Sequence, residues 1–198
     1  MVVPSSKDVT TATFLAPRLR HAAAVLHAGG VIAYPTEGVY GLGCRPNDGN
    51  AVQFLLKLKQ RPVSAGLILI AANLEQLDGW IAPTPQEARR LRSAGDDRPV
   101  TWLVSAGPLT PDWITGGRPT VAVRVTRHPV AAGLCLASGL PLVSTSANRR
   151  GKPPVRSAMA VRLRFGTRLD LVVGGATGRN PGPTEIQDAD SGRVVRAG

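Results

Sequence analysis

The chain has 198 residues, 43% of them hydrophobic, which is enough to bury one sizeable core and short for two, so a single compact domain is expected. No stretch approaches the roughly 20 consecutive apolar residues of a membrane span, and Met1 to Val9 lacks the charged-then-apolar layout of a signal peptide. The expectation is a soluble cytoplasmic protein with no membrane association. The 24 basic residues against 13 acidic ones give a formal charge of +11, which favours encounter with polyanions such as nucleotides or RNA. Twenty of the basic residues are Arg and four are Lys, beside abundant Ala, Gly and Pro, a bias that a GC-rich genome also produces. Cys44 and Cys135 stand far apart with no Cys or His at metal-ligand spacing, so buried, reduced thiols are expected and no metal site.

Residues 1–13 are polar with little periodicity and are expected to form a flexible extension, leaving 14–198 as the folded domain. Leu15, Leu19, Ala22, Ala23 and Leu26 recur at helical spacing and stop at Gly29-Gly30. The run 31–34 reads as a strand closed by Pro35, and 36–43, with three glycines, reads as a loop. Asn47 or Asp48 can cap a helix whose apolar stripe is Val52, Leu55, Leu56 and Leu58, with Lys57 and Lys59 near its C-terminal end and Pro62 ending it. The continuous apolar run 67–70 fits a strand covered on both faces, while 73–77 and 85–91 look helical. Strands are expected at 100–104, 121–125, 141–145 and 169–173, helices at 130–136 and 157–163, and short strands near Ile186 and Val194. Some connections can hold helical crossovers and others are too short, which predicts an α/β or α+β domain with one twisted mixed sheet flanked by helices.

Four segments place polar or glycine residues just after an expected strand or helix end. Tyr34 to Gly43 supplies glycines that permit close backbone approach and the Thr36 hydroxyl, though an ordinary Gly-rich turn looks the same. Leu58-Lys59-Gln60-Arg61-Pro62 sets an ammonium and a guanidinium two residues apart, either to meet one anion or as a solvated helix end. Ser144-Thr145-Ser146-Ala147-Asn148 follows an apolar strand, where open sheets bind ligands, and is also a common polar turn. Arg124 is the one cation in the apolar run 121–125, so it either pairs with an acidic residue or meets an anionic ligand. No Gly-x-x-x-x-Gly-Lys-Ser/Thr or Gly-x-Gly-x-x-Gly phosphate loop is present.

Taken in order, Tyr-Pro-Thr-Glu, Lys-x-Arg-Pro, Ala-Val-Arg-Val-Thr-x-His-Pro and Ser-Thr-Ser-Ala-Asn resemble the YrdC-domain family, in particular its short bacterial TsaC (RimN) members, from about Leu19 to Gly198. The resemblance implies a single YrdC-like domain whose sheet curves around a basic cavity. It also implies an L-threonylcarbamoyladenylate synthase, a nucleotidyltransferase that joins L-threonine, bicarbonate and ATP, with Mg²⁺ accompanying the ATP. That reaction is the first step in forming threonylcarbamoyladenosine next to the tRNA anticodon. By the family pattern Lys59 and Arg61 are catalytic, Lys59, Arg61, Ser146, Asn148 and Arg196 bind ATP, and Thr36, Arg124, Ser144 and Thr184 bind threonine. The product would pass to TsaB/TsaD/TsaE-type machinery. The chain stops at Arg196-Ala197-Gly198, where short members end, so no second domain is expected.

Three departures accompany the resemblance. A lysine-bearing segment before Gly-Leu-Ile-Leu is replaced by Val63-Ser64-Ala65, a Trp-Pro-Gly-Pro-Val-Thr stretch is reduced to Asp97-Arg98-Pro99-Val100-Thr101, and a Pro-Ser pair is replaced by Pro183-Thr184. They leave open a catalytically weak nucleotide-binding relative. The charge leaves open a protein that contacts tRNA or rRNA through a basic surface, although aromatics at 4% of residues count against recognising single strands by stacking.

Overall fold

The computed structural model describes residues 6–93, 99–149, 151–180, 182 and 184–197. Helix α1 (Ser6–His27) takes in 6–13, which the sequence placed in an extension, while 1–5 lie outside the described residues. Pro17 sits inside this helix, where it has no N–H to donate, and the apolar stripe beyond it is buried at Leu19, Ala22, Ala23 and Leu26.

The strands are β1 (Ile32–Pro35), β2 (Tyr40–Gly43), β3 (Ile68–Ala71), β4 (Val100–Ser105), β5 (Thr120–Val125), β6 (Leu142–Ser146), β7 (Leu171–Val172), β8 (Glu185–Asp188) and β9 (Val194–Arg196). They form one sheet in the order β7-β1-β2-β6-β3-β5-β4-β8-β9. The pairs β1/β7, β3/β5 and β4/β8 are parallel. The remaining neighbours are antiparallel, which makes the sheet mixed, as expected. Helices α2 (Gly49–Lys59), α3 (Pro85–Ser93), α4 (Asp112–Thr115), α5 (Pro129–Ser138) and α6 (Ala158–Phe165) complete the domain. No helix among the described residues is long and apolar enough to cross a membrane.

Alternation along the strands splits the core between the two sheet faces. Tyr34, Ile70 and Leu142 pack with Leu19 and Leu26 of α1 and Leu134 of α5. Ala33, Leu69 and Val143 point the other way, toward Leu55 of α2 and Val161 and Phe165 of α6. The central strands are therefore covered on both sides, which explains the uninterrupted apolar run at 67–70. Cys44 and Cys135 are buried free thiols, and burial pushes each up to about 12.

One expectation needs correction: the segment 36–43 is not all loop. Residues 36–39 make the turn, with the Thr36 N–H donating to Val39 O at 3.1 Å, and the chain then returns as β2, antiparallel to β1. Its glycines concealed a strand. A Cβ on Gly43 would stand 2.4 Å from the Val143 carbonyl oxygen and 2.8 Å from the Tyr34 hydroxyl, so only glycine fits where Tyr34 crosses toward β6. Helix α2 also ends before Pro62. Asp48 caps its start through Asn50 N and Ala51 N at 3.1 and 3.0 Å, and Gln60 closes it in the left-handed region at φ 54°. Helix α4 was not anticipated either, because four residues are too few to show helical periodicity.

Gly43→Ala is expected to destabilise the protein by about 2 kcal/mol or more, since the obstruction is backbone and cannot rotate aside. Urea unfolding should show a lower midpoint at unchanged slope, and a variant as stable as the parent would mean β2 has room for a side chain.

Candidate active site

The nine residues named from the sequence come from six separate places in the fold and line one cavity of about 380 Å³. Thr36 comes from the turn between β1 and β2, Lys59 from the last residue of α2, and Arg61 from just beyond it. Arg124 comes from β5, Ser144 and Ser146 from β6, Asn148 from just after β6, Thr184 from just before β8 and Arg196 from β9. Ile68 and Ser144 are register partners and both line the cavity. They share a face with Ile70 and Leu142, so the cavity occupies the part of that face beyond α1 and α5.

Lys59 is buried where the helix end meets the turn after β6. Its ammonium donates to Ser146 O, to Asn148 O at 2.8 Å and to Asn148 Oδ1 at 3.3 Å. A lysine has three protons to give, so all are engaged and an incoming anion must take the place of one acceptor. Burial, and then the nearby charge of Arg61, pushes Lys59 down to about 8. Arg61 lies along the backbone of 65–66, its Nε and Nη2 donating to Gly66 O at 3.1 and 2.8 Å and its Nη2 to Ala65 O at 3.0 Å. Ser146 Oγ donates to Asn148 Oδ1 at 2.6 Å, and Asn148 Nδ2 donates to Lys152 O at 2.6 Å, which fixes the amide's orientation.

At the other end of the cavity Arg124 makes the ion pair that its sequence left open, and it does so at the cavity wall. Its Nη2 lies 3.5 Å from Glu37 Oε2, an ion pair with an acidic residue, and its side chain also lines the cavity. Arg124 Nη1 donates to Thr184 Oγ1 at 2.7 Å, and Thr184 Oγ1 in turn lies 2.7 Å from Thr101 Oγ1. Arg196 Nη2 donates to Thr184 O at 2.9 Å. Thr36 Oγ1 donates to Val39 O at 2.7 Å, and the buried Ser144 completes this end. Arg196 is exposed as a residue, but desolvation of its head, followed by the charge of Arg124, holds it below its ordinary value.

Among the described residues the lining thus holds four cations, Lys59, Arg61, Arg124 and Arg196, against one carboxylate, Glu37. Glu37 belongs to the Tyr-Pro-Thr-Glu motif and is not among the nine residues that the resemblance assigns to the site. The signal available in the sequence was its place beside Thr36, directly after a strand. Ala65, which stands where the family pattern carries a lysine-bearing segment, lines the wall. Asp97, Arg98 and Pro183 lie outside the described residues. A second and larger cavity, about 540 Å³, lies against Val123, Val125, Leu77 and Trp102, on the sheet face away from Arg124. It contains none of the nine residues, and Glu37 borders both cavities.

A mixed sheet with cations and hydroxyls gathered from both halves of the chain into one small cavity defines a single-domain α/β protein with a cation-lined cavity. The chain belongs to the Sua5/YciO/YrdC family, whose model, described as telomere recombination, matches residues 24–198. A threonylcarbamoyl-AMP synthase from Cellvibrio japonicus is 54% identical over 182 residues, covering 92% of this chain and 96% of that one. The protein of the same name from Alkalilimnicola ehrlichii is 55% identical over 185 residues, covering 91% and 95%. Among solved structures, P. abyssi Sua5 complexed with L-threonine is similar at a TM-score of 0.80 and 35% identity, over 86% of this chain and 50% of that longer one. E. coli YciO is similar at a TM-score of 0.78 and 27% identity, over 90% and 88%.

The environment of Lys59 has a direct readout. With only four lysines in the chain, a side-chain NMR titration assigned by loss of one signal in Lys59→Arg should give Lys59 a midpoint near 8. Its charge is present below that pH and lost above it, and a midpoint near the ordinary ~10.4 would mean the ammonium is solvated.

Proposed function

We propose that this chain makes threonylcarbamoyl-AMP from L-threonine, bicarbonate and ATP, releasing pyrophosphate, with 14–198 as the catalytic domain. The observation that carries the reading is the convergence of four cations and the hydroxyls of Thr36, Ser144, Ser146 and Thr184 on one cavity of about 380 Å³. Cations held this close repel one another, and a triphosphate beside a carboxylate relieves that repulsion. Relatives more than half identical that bear the name of this activity support the same reading.

In this reading Lys59 and Arg61 take the phosphates and are the catalytic pair, with Ser146, Asn148 and Arg196 completing the nucleotide site. Arg124 pairs with the threonine carboxylate, while Thr36, Ser144 and Thr184 read its polar groups. The free amine of threonine adds to the carbon of bicarbonate, and water leaves to give a carbamate. A carbamate oxygen then attacks the α-phosphorus of ATP. The bond from that phosphorus to the bridging oxygen breaks, and pyrophosphate departs with the electron pair. No covalent intermediate with the protein is needed, so catalysis rests on holding two anions together and offsetting charge that builds on the phosphates. Glu37, the one carboxylate among the described lining residues, is turned to Thr126 and Arg124, and a magnesium ion would arrive held by the triphosphate, as part of the substrate. The product would go to TsaB/TsaD/TsaE-type machinery in the cytoplasm, and contact with tRNA or rRNA would use the chain's basic surface.

Pyrophosphate release by the purified protein is expected only when L-threonine and bicarbonate are both present with ATP. Lys59→Ala and Arg61→Ala should each lower kcat/KM by at least about 100-fold. ATP affinity measured by calorimetry should weaken as pH rises past about 8, where Lys59 discharges. Release of pyrophosphate that ignores threonine would defeat this assignment.

A further inference from the structure

We propose that Glu37 is a positioning residue that aims the Arg124 guanidinium at the carboxylate of the amino-acid substrate, an inference that rests on the reaction proposed above. Arg124 is 7% exposed and lies on a central strand, so protein contacts rather than bulk water set its direction. Two contacts grip it from different elements: Thr184 at Nη1 and Glu37 at Nη2. The second, at 3.5 Å, is an ion pair without a close hydrogen bond, and the buried Nε of Arg124 has no hydrogen-bond partner among the described residues. The guanidinium is therefore anchored but not saturated: Nη1 and Nη2 carry N–H groups beyond the one given to Thr184, on a side chain that lines the cavity, which leaves donor capacity for a ligand.

Glu37 is itself held in place. Its Oε1 accepts the Thr126 hydroxyl at 2.5 Å and the Arg127 N–H at 3.2 Å, from the two residues that follow β5. The carboxylate thus ties the turn after β1 to the strand that carries Arg124. Its backbone is boxed in as well, since Asn180 N donates to Glu37 O at 3.1 Å and a Cβ on Gly178 would lie 2.4 Å from that same oxygen. Burial pushes the carboxyl's pKa up, but Arg124 and the bonds from Thr126 and Arg127 outweigh it, and the net value lies below the ordinary one. Glu37 is therefore ionised at neutral pH. It is also the one carboxylate among the described lining residues, so nothing else there can replace its pull on Arg124. Without that pull, Arg196 and Arg124 repel each other with only Thr184 between them.

The test measures pyrophosphate release against varied threonine and, separately, varied ATP. Glu37→Gln keeps the shape and loses the charge. It is expected to raise the KM for threonine about 10- to 100-fold, while the KM for ATP moves by less than about 3-fold. Glu37→Asp, which restores the charge on a shorter stem, should recover part of the threonine KM. A merely structural role would instead lower the thermal midpoint and shift both KM values together, and that result overturns the inference. Should Glu37→Gln fail to fold, Thr126→Val removes one bond to the carboxylate and leaves its charge. It is expected to raise the threonine KM about 3- to 10-fold, and an unchanged value overturns the inference. A wild-type chain that releases no pyrophosphate overturns the reaction and the inference together. An active wild type whose threonine KM is indifferent to Glu37→Gln overturns the inference alone.

Discussion

The buried ammonium of Lys59 joins two parts of the chain that nothing in the sequence brings near each other. Its bonds to Ser146 and Asn148 span 87 and 89 residues and pin the end of α2 to the turn after β6. One wall of the cavity exists because of that link. The link also explains why a lysine serves here in a chain so rich in arginine. A compact head with three divergent protons can satisfy three converging oxygens, whereas a planar fork would present its donors in one plane. Keeping that charge under cover is costly, as its lowered proton affinity shows, and an anion entering the cavity returns part of the cost.

Around this link the cavity is built with unequal ends. At the Lys59 end the cations rest on backbone carbonyls and can trade those acceptors for ligand oxygens. At the Arg124 end the cation is gripped by side chains, Glu37 and Thr184, that are themselves gripped by Thr126 and Thr101. An end whose contacts exchange suits a flexible polyanion, and an end whose contacts are locked suits a small rigid ligand that must be told apart from its analogues.

Much of this was readable from the residues, and the failures have physical causes. Strands buried on both faces announced themselves as apolar runs, and helix α2 showed its cap, stripe and basic end. Strand β2 was hidden because the close approach of Tyr34 and β6 demands glycine at position 43, a second glycine stands at 41, and glycine in sequence reads as a turn. Arg124 stood out by itself, as a cation within an apolar strand, whereas the other site residues could be named only because their motifs, taken in order, resemble one family. Their contacts could not. Glu37 becomes informative only when 89 residues of chain have folded back to set it against Thr126, and no local pattern encodes that distance. The hydroxyl pair Thr101 and Thr184 was unreadable for the same reason.

The parallel pairing of β1 with β7 has a kinetic consequence. The N–H of Val31, at the entrance to β1, donates to Asp170 Oδ2 at 2.7 Å across 139 residues, and Asp170 N returns a bond to Val31 O. Such a contact must close a very long loop before it is repaid, and pairings of this kind slow folding relative to local contacts. Until that loop closes, β1 presents an open edge, and the nascent or refolding chain spends its most aggregation-prone interval with that edge unprotected.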